Sequence, residues 1–140
     1  APVYGFYVVA EHTPAGAESE TDGLPNSATP GAAEIVGALM VTFEWSDWRN
    51  GLFWWIQSVY VRPDWRRRGV YRALYDFLKQ LAAGPGYRGY VCGFRLYVEK
   101  RNVIAQQTYE RLGMTETYYK MYEEEIMNPE EMVDAQLDAD

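Results

Sequence analysis

The stretch RPDWRRRGVYRAL (62–74) holds the residues best suited to chemistry in this chain. Arg62, Arg66, Arg67, Arg68 and Arg72 are five of only 13 basic residues in a protein of formal net charge −7. They surround Gly69 at the start of an amphipathic run. The first N–H groups of a helix have no intrahelical acceptor, and the helix dipole places positive charge at the same end. Arginines beside them add charge-assisted contacts to phosphate oxygens, and glycine lets the backbone approach a ligand closely. The pattern predicts a pyrophosphate site, against the alternative of a solvated basic helix start. A second stretch, GPGYRG (84–89), matches a dinucleotide-binding pattern by letter but follows a helix and precedes a strand. The fingerprint requires the reverse, so this is read as a connector.

Other chemistries are narrowed by composition. One cysteine, Cys92, excludes an internal disulfide framework. With a single histidine, His12, it also excludes the usual zinc ligand sets, and no metal is expected. Cys92 reads as a small core residue, since no histidine stands ready to activate it. His12 begins a long loop and is not read as catalytic. The acidic balance disfavours nucleic acid, and no apolar run reaches the ~20 residues of a membrane span. The cysteine usage fits a reducing, cytoplasmic setting.

These groups need elements to hold them. VYGFYVVAE (3–11) reads as a strand. Residues 12–33 are rich in proline and glycine and read as a long mobile loop. In 34–61, Asn50-Gly51 signals a two-residue hairpin turn. That register sets Glu44 opposite Gln57 and Asp47 opposite Trp54, in two strands too apolar to be exposed on either face. Residues 69–83 show helical spacing of Val70, Ala73, Leu74, Phe77, Leu78 and Leu81. A strand (90–99), a helix (102–113, closed by Gly113), a last strand (117–126) and an acidic, fraying tail from Met127 follow. The fold class is α/β, with a mixed, mostly antiparallel twisted sheet flanked by helices in one domain, residues 1–140. A right-handed crossover makes strands 53–61 and 90–99 parallel.

VYVRPDWRRRGVYRAL resembles motif A of the GNAT N-acetyltransferase superfamily: a strand, Val-x-Pro, Arg/Gln-x-x-Gly-x-Gly/Ala, then a helix. Tyr71 stands where that motif has a small residue. LYVEKRNVIAQQTYERLGM (96–114) resembles the family's motif B, in the right order and spacing. The resemblance covers about residues 34–126. The family's first helices, which help form the acceptor pocket, have no counterpart here, so a fragment or a differently built acceptor side is expected.

The resemblance implies acetyl-CoA as donor and an amine, on a small molecule or peptide, as acceptor. It implies that the backbone of Val59, Tyr60 and Val61 pairs with the pantetheine arm, and that N–H groups from Arg66, Arg67, Arg68, Gly69, Val70, Tyr71 and Arg72 hold the pyrophosphate. Asn102 would touch the pantetheine, Tyr109 would protonate the departing sulfur, and the Val59 N–H would face the oxyanion. An amine must be neutral to attack, which calls for a base. No carboxylate lies in 53–61, so Glu44 and then Asp47 on the partner strand are the candidates, against a role as hairpin-edge charges. Trp45, Trp48, Trp54 and Trp55 crowd the same hairpin, as core packing or as faces for a cationic amine. A non-catalytic acyl-CoA-binding or protein-interaction module is the alternative reading, and a homodimer is compatible with either.

Overall fold

In the computed structural model, which describes residues 4–14 and 32–126, four strands form one sheet in the order β1-β2-β3-β4. The strands are β1 (Gly5–His12), β2 (Glu34–Ser46), β3 (Gly51–Val61) and β4 (Val91–Leu96). β1 and β3 each run antiparallel to β2, and β4 runs parallel to β3. The parallel step is the expected one, made by the crossover helix α1 (Val70–Ala83). By packing, the chain divides into Ala1–Gln107 and Thr108–Asp140, and α2 (Val103–Arg111) straddles that boundary.

The core follows from two periodicities. α1 buries Leu74, Tyr75 and Leu78, spaced to share one stripe. The sheet offers Val8, Val36, Leu39, Val41, Trp54 and Ile56, all buried. Trp54 is wholly buried. Its ring meets those of Phe6, Tyr87 and Phe94 edge-on, at centroid distances of 5.0, 5.1 and 6.2 Å. Such T-shaped pairs set the ring's positive edge against a negative face. Gly84-Pro85-Gly86 closes α1, and residues 84–90 are turns leading into β4, so GPGYRG is the connector expected.

The hairpin differs from expectation. Its turn spans 47–50, not two residues: the Asn50 N–H donates to the Asp47 carbonyl at 3.3 Å, and the Trp48 N–H donates to Asp47 Oδ1 at 2.8 Å. Asp47, an acceptor able to bond its own backbone neighbours, captures the turn early. Asn50 takes the positive φ (43°), while Gly51 already belongs to β3. Gly51 serves close approach: a Cβ there would lie 3.1 Å from the Tyr90 carbonyl oxygen and 3.2 Å from Cys92 Cβ. The register therefore pairs Glu44 with Phe53 and Phe43 with Trp54, and Asp47 has no place in the ladder. Nor are both strands buried throughout, since Gln57 to Tyr60 are exposed, as are Trp45 and Trp48.

The strand expected at 117–126 is not formed. Those residues join no ladder, with a bend at Tyr118, and Tyr118 and Tyr122 are 90% exposed. Alternating residue types favour a strand only where another backbone accepts its hydrogen bonds. α2 ends as the sequence indicates. Gly113 takes φ 93°, its N–H bonds the Glu110 carbonyl, and the Met114 N–H bonds the Tyr109 carbonyl. Most of the expected loop 12–33 and all of the tail from Met127 lie outside the described residues, while His12 is the last residue of β1.

Candidate functional site

The site begins where the sheet opens. β4 pairs with β3 from Leu52–Val91 to Ile56–Leu96 and then stops. β3 continues to Val61 on β2 alone, with Val59 opposite Leu39, Tyr60 opposite Ala38 and Val61 opposite Gly37. Among the described residues no strand pairs with the other edge of this segment, and Val59 and Tyr60 are exposed. An extended ligand can add to such an edge through main-chain hydrogen bonds.

The chain then turns into α1. Pro63–Trp65 form one 3₁₀ turn, with proline at its start where its fixed φ is tolerated. Arg67 (φ 61°) and Gly69 (φ 81°) are both left-handed, so the intervening backbone forms a concave turn of the kind that gathers N–H groups around an anion. The first bond of α1 runs from the Ala73 N–H to the Gly69 carbonyl at 2.9 Å, so the N–H groups of Val70 and Arg72 precede any intrahelical acceptor. A Cβ on Gly69 would meet nothing within 4 Å; glycine here answers the dihedral, not the space.

The arginines divide into two groups. Arg62 is committed to protein: its Nη1 donates to Glu34 Oε2 at 2.7 Å and its Nη2 to Asp64 Oδ2 at 2.7 Å. Arg62 holds the Asp64 carboxyl below the usual carboxylate range through that hydrogen bond. Arg66 donates from Nε to the Val61 carbonyl at 3.1 Å. Arg67, Arg68 and Arg72 are exposed around the concave turn. The ring of Tyr71 lies 6.4 Å from that of Tyr75 and its hydroxyl is buried, so the bulky side chain follows the packed side of α1.

The expected base is placed elsewhere. Glu44 sits opposite Phe53, and Phe53 to Val59 along β3 is roughly 20 Å at the ordinary strand rise. Both Glu44 oxygens are engaged: Arg95 Nη1 donates to Oε1 at 2.5 Å and Trp55 Nε1 donates to Oε2 at 2.7 Å. Arg95 also lies 3.6 Å from the centroid of the Phe53 ring. Asp47, in the turn, is farther along the hairpin. Asn102 accepts the Ala105 N–H at 3.1 Å and thereby caps α2. Gln106 Nε2 donates to the carbonyls of Glu99 and Lys100, fixing the approach to that cap. Burial raises the Tyr109 hydroxyl above its ordinary pKa, so it holds its proton to higher pH than a solvated tyrosine.

The sequence reading missed Arg95 and undervalued His12. A lone arginine inside GFRLY was a usable signal, because a cation in an apolar strand needs an acid or an aromatic face nearby. His12 packs its ring 4.5 Å from that of Trp65, and Arg68 lies over the same indole at 5.2 Å. Its chain position at the edge of a polar loop gave no hint of that neighbour. Among the described residues no group of three His, Cys, Asp or Glu side chains could hold a metal, and no helix is long and apolar enough to cross a membrane.

A family model described as acetyltransferase (GNAT) family matches residues 9–114. Among solved structures, a "possible acetyltransferase" from Clostridium difficile 630 is 46% identical with a TM-score of 0.61, over 68% of this chain and 60% of that one. A "probable acetyltransferase" is 22% identical with a TM-score of 0.60, over 73% and 66% of the two chains, and so speaks for the fold alone. An aminoglycoside acetyltransferase from an uncultured soil metagenomic sample is 26% identical with a TM-score of 0.53, over 65% and 59%. The chain thus spans about two thirds or less of the length of each. No curated protein matches the sequence.

Proposed function

The chain belongs to the acetyltransferase (GNAT) family, and from that premise we propose that it moves an acetyl group from acetyl-CoA to the primary amine of a small molecule or peptide, by direct attack in a ternary complex. The observation that carries this reading is the continuous path from the open edge of β3 into the concave turn at Arg67–Gly69 and the N-terminus of α1. An extended arm ending in a pyrophosphate fits that sequence of surfaces: strand edge first, N–H groups and arginines next.

In this reading the backbone of Val59, Tyr60 and Val61 holds the pantetheine arm. The N–H groups of the turn and of the first residues of α1, with the side chains of Arg67, Arg68 and Arg72, hold the phosphates. Arg66 adds to them while anchored to Val61. Bound acetyl-CoA supplies an activated thioester. The Val59 N–H steadies the carbonyl oxygen as charge develops on it. Tyr109 holds a proton for the sulfur, in the protonation state that its burial favours. Asn102 orients α2 through its cap and keeps its side-chain amide nitrogen for the arm.

In the observed register Glu44 faces Phe53 and not the segment at Val59, so in this reading Glu44 and Asp47 are assigned to the hairpin and the base that takes the acceptor's proton is left to a group outside β2 and β3 or to solvent. The same fact favours the second reading, a module that binds acyl-CoA without turnover. The test is release of free CoA, measured with a thiol reagent, from acetyl-CoA and a panel of amines that includes aminoglycosides, polyamines and peptide N-termini. Amine-dependent release supports the transferase. CoA binding without release under any amine supports the module, and no CoA binding rejects both.

A further inference from the structure

We propose that Trp65, clamped by His12, is a positioning residue that sets Arg68 and the concave turn for the donor's phosphates; this rests on the CoA-binding reading above. The turn is tied to three strands by three different contacts. His12, at the end of β1, packs on the Trp65 ring at 4.5 Å. Glu34, at the start of β2 and the register partner of His12, receives Arg62 at 2.7 Å. The Val61 carbonyl, at the end of β3, receives Arg66 at 3.1 Å. Asp64 closes the set by binding Arg62 from within the 3₁₀ turn.

Of these ties, two reach Arg68: the indole through its ring and Asp64 through its charge. The Arg68 guanidinium lies 5.2 Å from the Trp65 ring centroid, within range of the attraction between a cation and an aromatic face. A free arginine samples many rotamers, and ordering it on a ligand costs conformational entropy. An indole already held from β1 removes part of that cost before the ligand arrives. Arg68 is exposed, and a guanidinium beside an aromatic ring can still donate from its N–H edges to oxygen atoms.

The test is calorimetric titration of CoA into the full chain and its variants, with thermal unfolding measured on the same samples. Trp65→Ala is expected to weaken CoA about fivefold, the loss of one cation–aromatic contact of ~1 kcal/mol, while Trp65→Phe retains most of the affinity. His12→Ala is expected to weaken it about twofold to threefold, and His12→Phe to restore it, without a matching recovery pattern in melting temperature. In turnover the loss should fall on KM and leave kcat unchanged. If Trp65→Ala does not fold, the His12 pair carries the test alone. Wild-type CoA binding with unchanged affinity in Trp65→Ala and His12→Ala overturns this inference and leaves the function intact. Affinity losses that Phe does not restore at either position also overturn it, since a ring would then not be the operative feature. Absence of CoA binding by the wild type overturns the function and this inference together.

Discussion

At the scale of single residues, the account separates arginines that build the turn from arginines that face a ligand. Arg68→Ala with Arg72→Ala should raise the KM for acetyl-CoA about tenfold with kcat little changed, since phosphate contacts are made equally in ground and transition states. The difference from wild type should shrink in high salt, because both side chains are exposed and their fields are screened. Tyr109→Phe should do the opposite, lowering kcat ~10²-fold with CoA affinity unchanged. Burial raises the Tyr109 pKa, so the hydroxyl keeps its proton as the medium becomes alkaline. The Tyr109-dependent part of the rate should therefore persist beyond the pH at which an ordinary tyrosine ionises, and be absent from the Phe variant's profile. For Glu44→Gln the expected outcome is a small loss of stability, under ~1 kcal/mol for a half-exposed ion pair, and no defect rescued by raising pH. A rate defect that disappears at high pH would place a base at Glu44 and refute the register argument.

At the scale of elements, Gly69 is where the fold and the site meet. Gly69→Ala has room for its methyl group but must adopt φ 81°, which costs about 1–2 kcal/mol. A lowered melting temperature together with weakened CoA binding is the expected result; a drop in either one alone would uncouple the dihedral from the site. Much of this level was legible in the sequence. The helical stripe on 69–83 is a strong periodic signal, and the change from strand spacing to helical spacing across RPDWRRRG marks the turn. The hairpin register was not legible, because Asn50-Gly51 is a turn signal that Asp47 outcompetes by bonding the backbone two residues earlier. That displacement moved Glu44 from Gln57 to Phe53 and took the expected base away from Val59. The strand at 117–126 failed for another reason: residue type reports the tendency to pair, whereas pairing depends on an edge that a local pattern does not specify.

At the scale of the whole molecule, the net charge of −7 and the cluster of arginines are compatible because charge is unevenly spread along the sequence: all 13 basic residues but only 12 of the 20 acidic ones fall among the described residues, and the cluster is partly neutralised from within. Glu34 and Asp64 consume Arg62, and the Val61 carbonyl engages Arg66, so the positive surface narrows to the turn itself. The central claim is that one anion site, Arg67 through Arg72 at the mouth of α1, holds the donor. It is tested most directly by recording backbone amide NMR shifts during a titration with CoA. The account predicts saturable shifts concentrated in residues 59–61 and 67–72, with the Gly69 and Val70 amides among the largest. Shifts centred elsewhere, or no shifts at millimolar CoA, would contradict it.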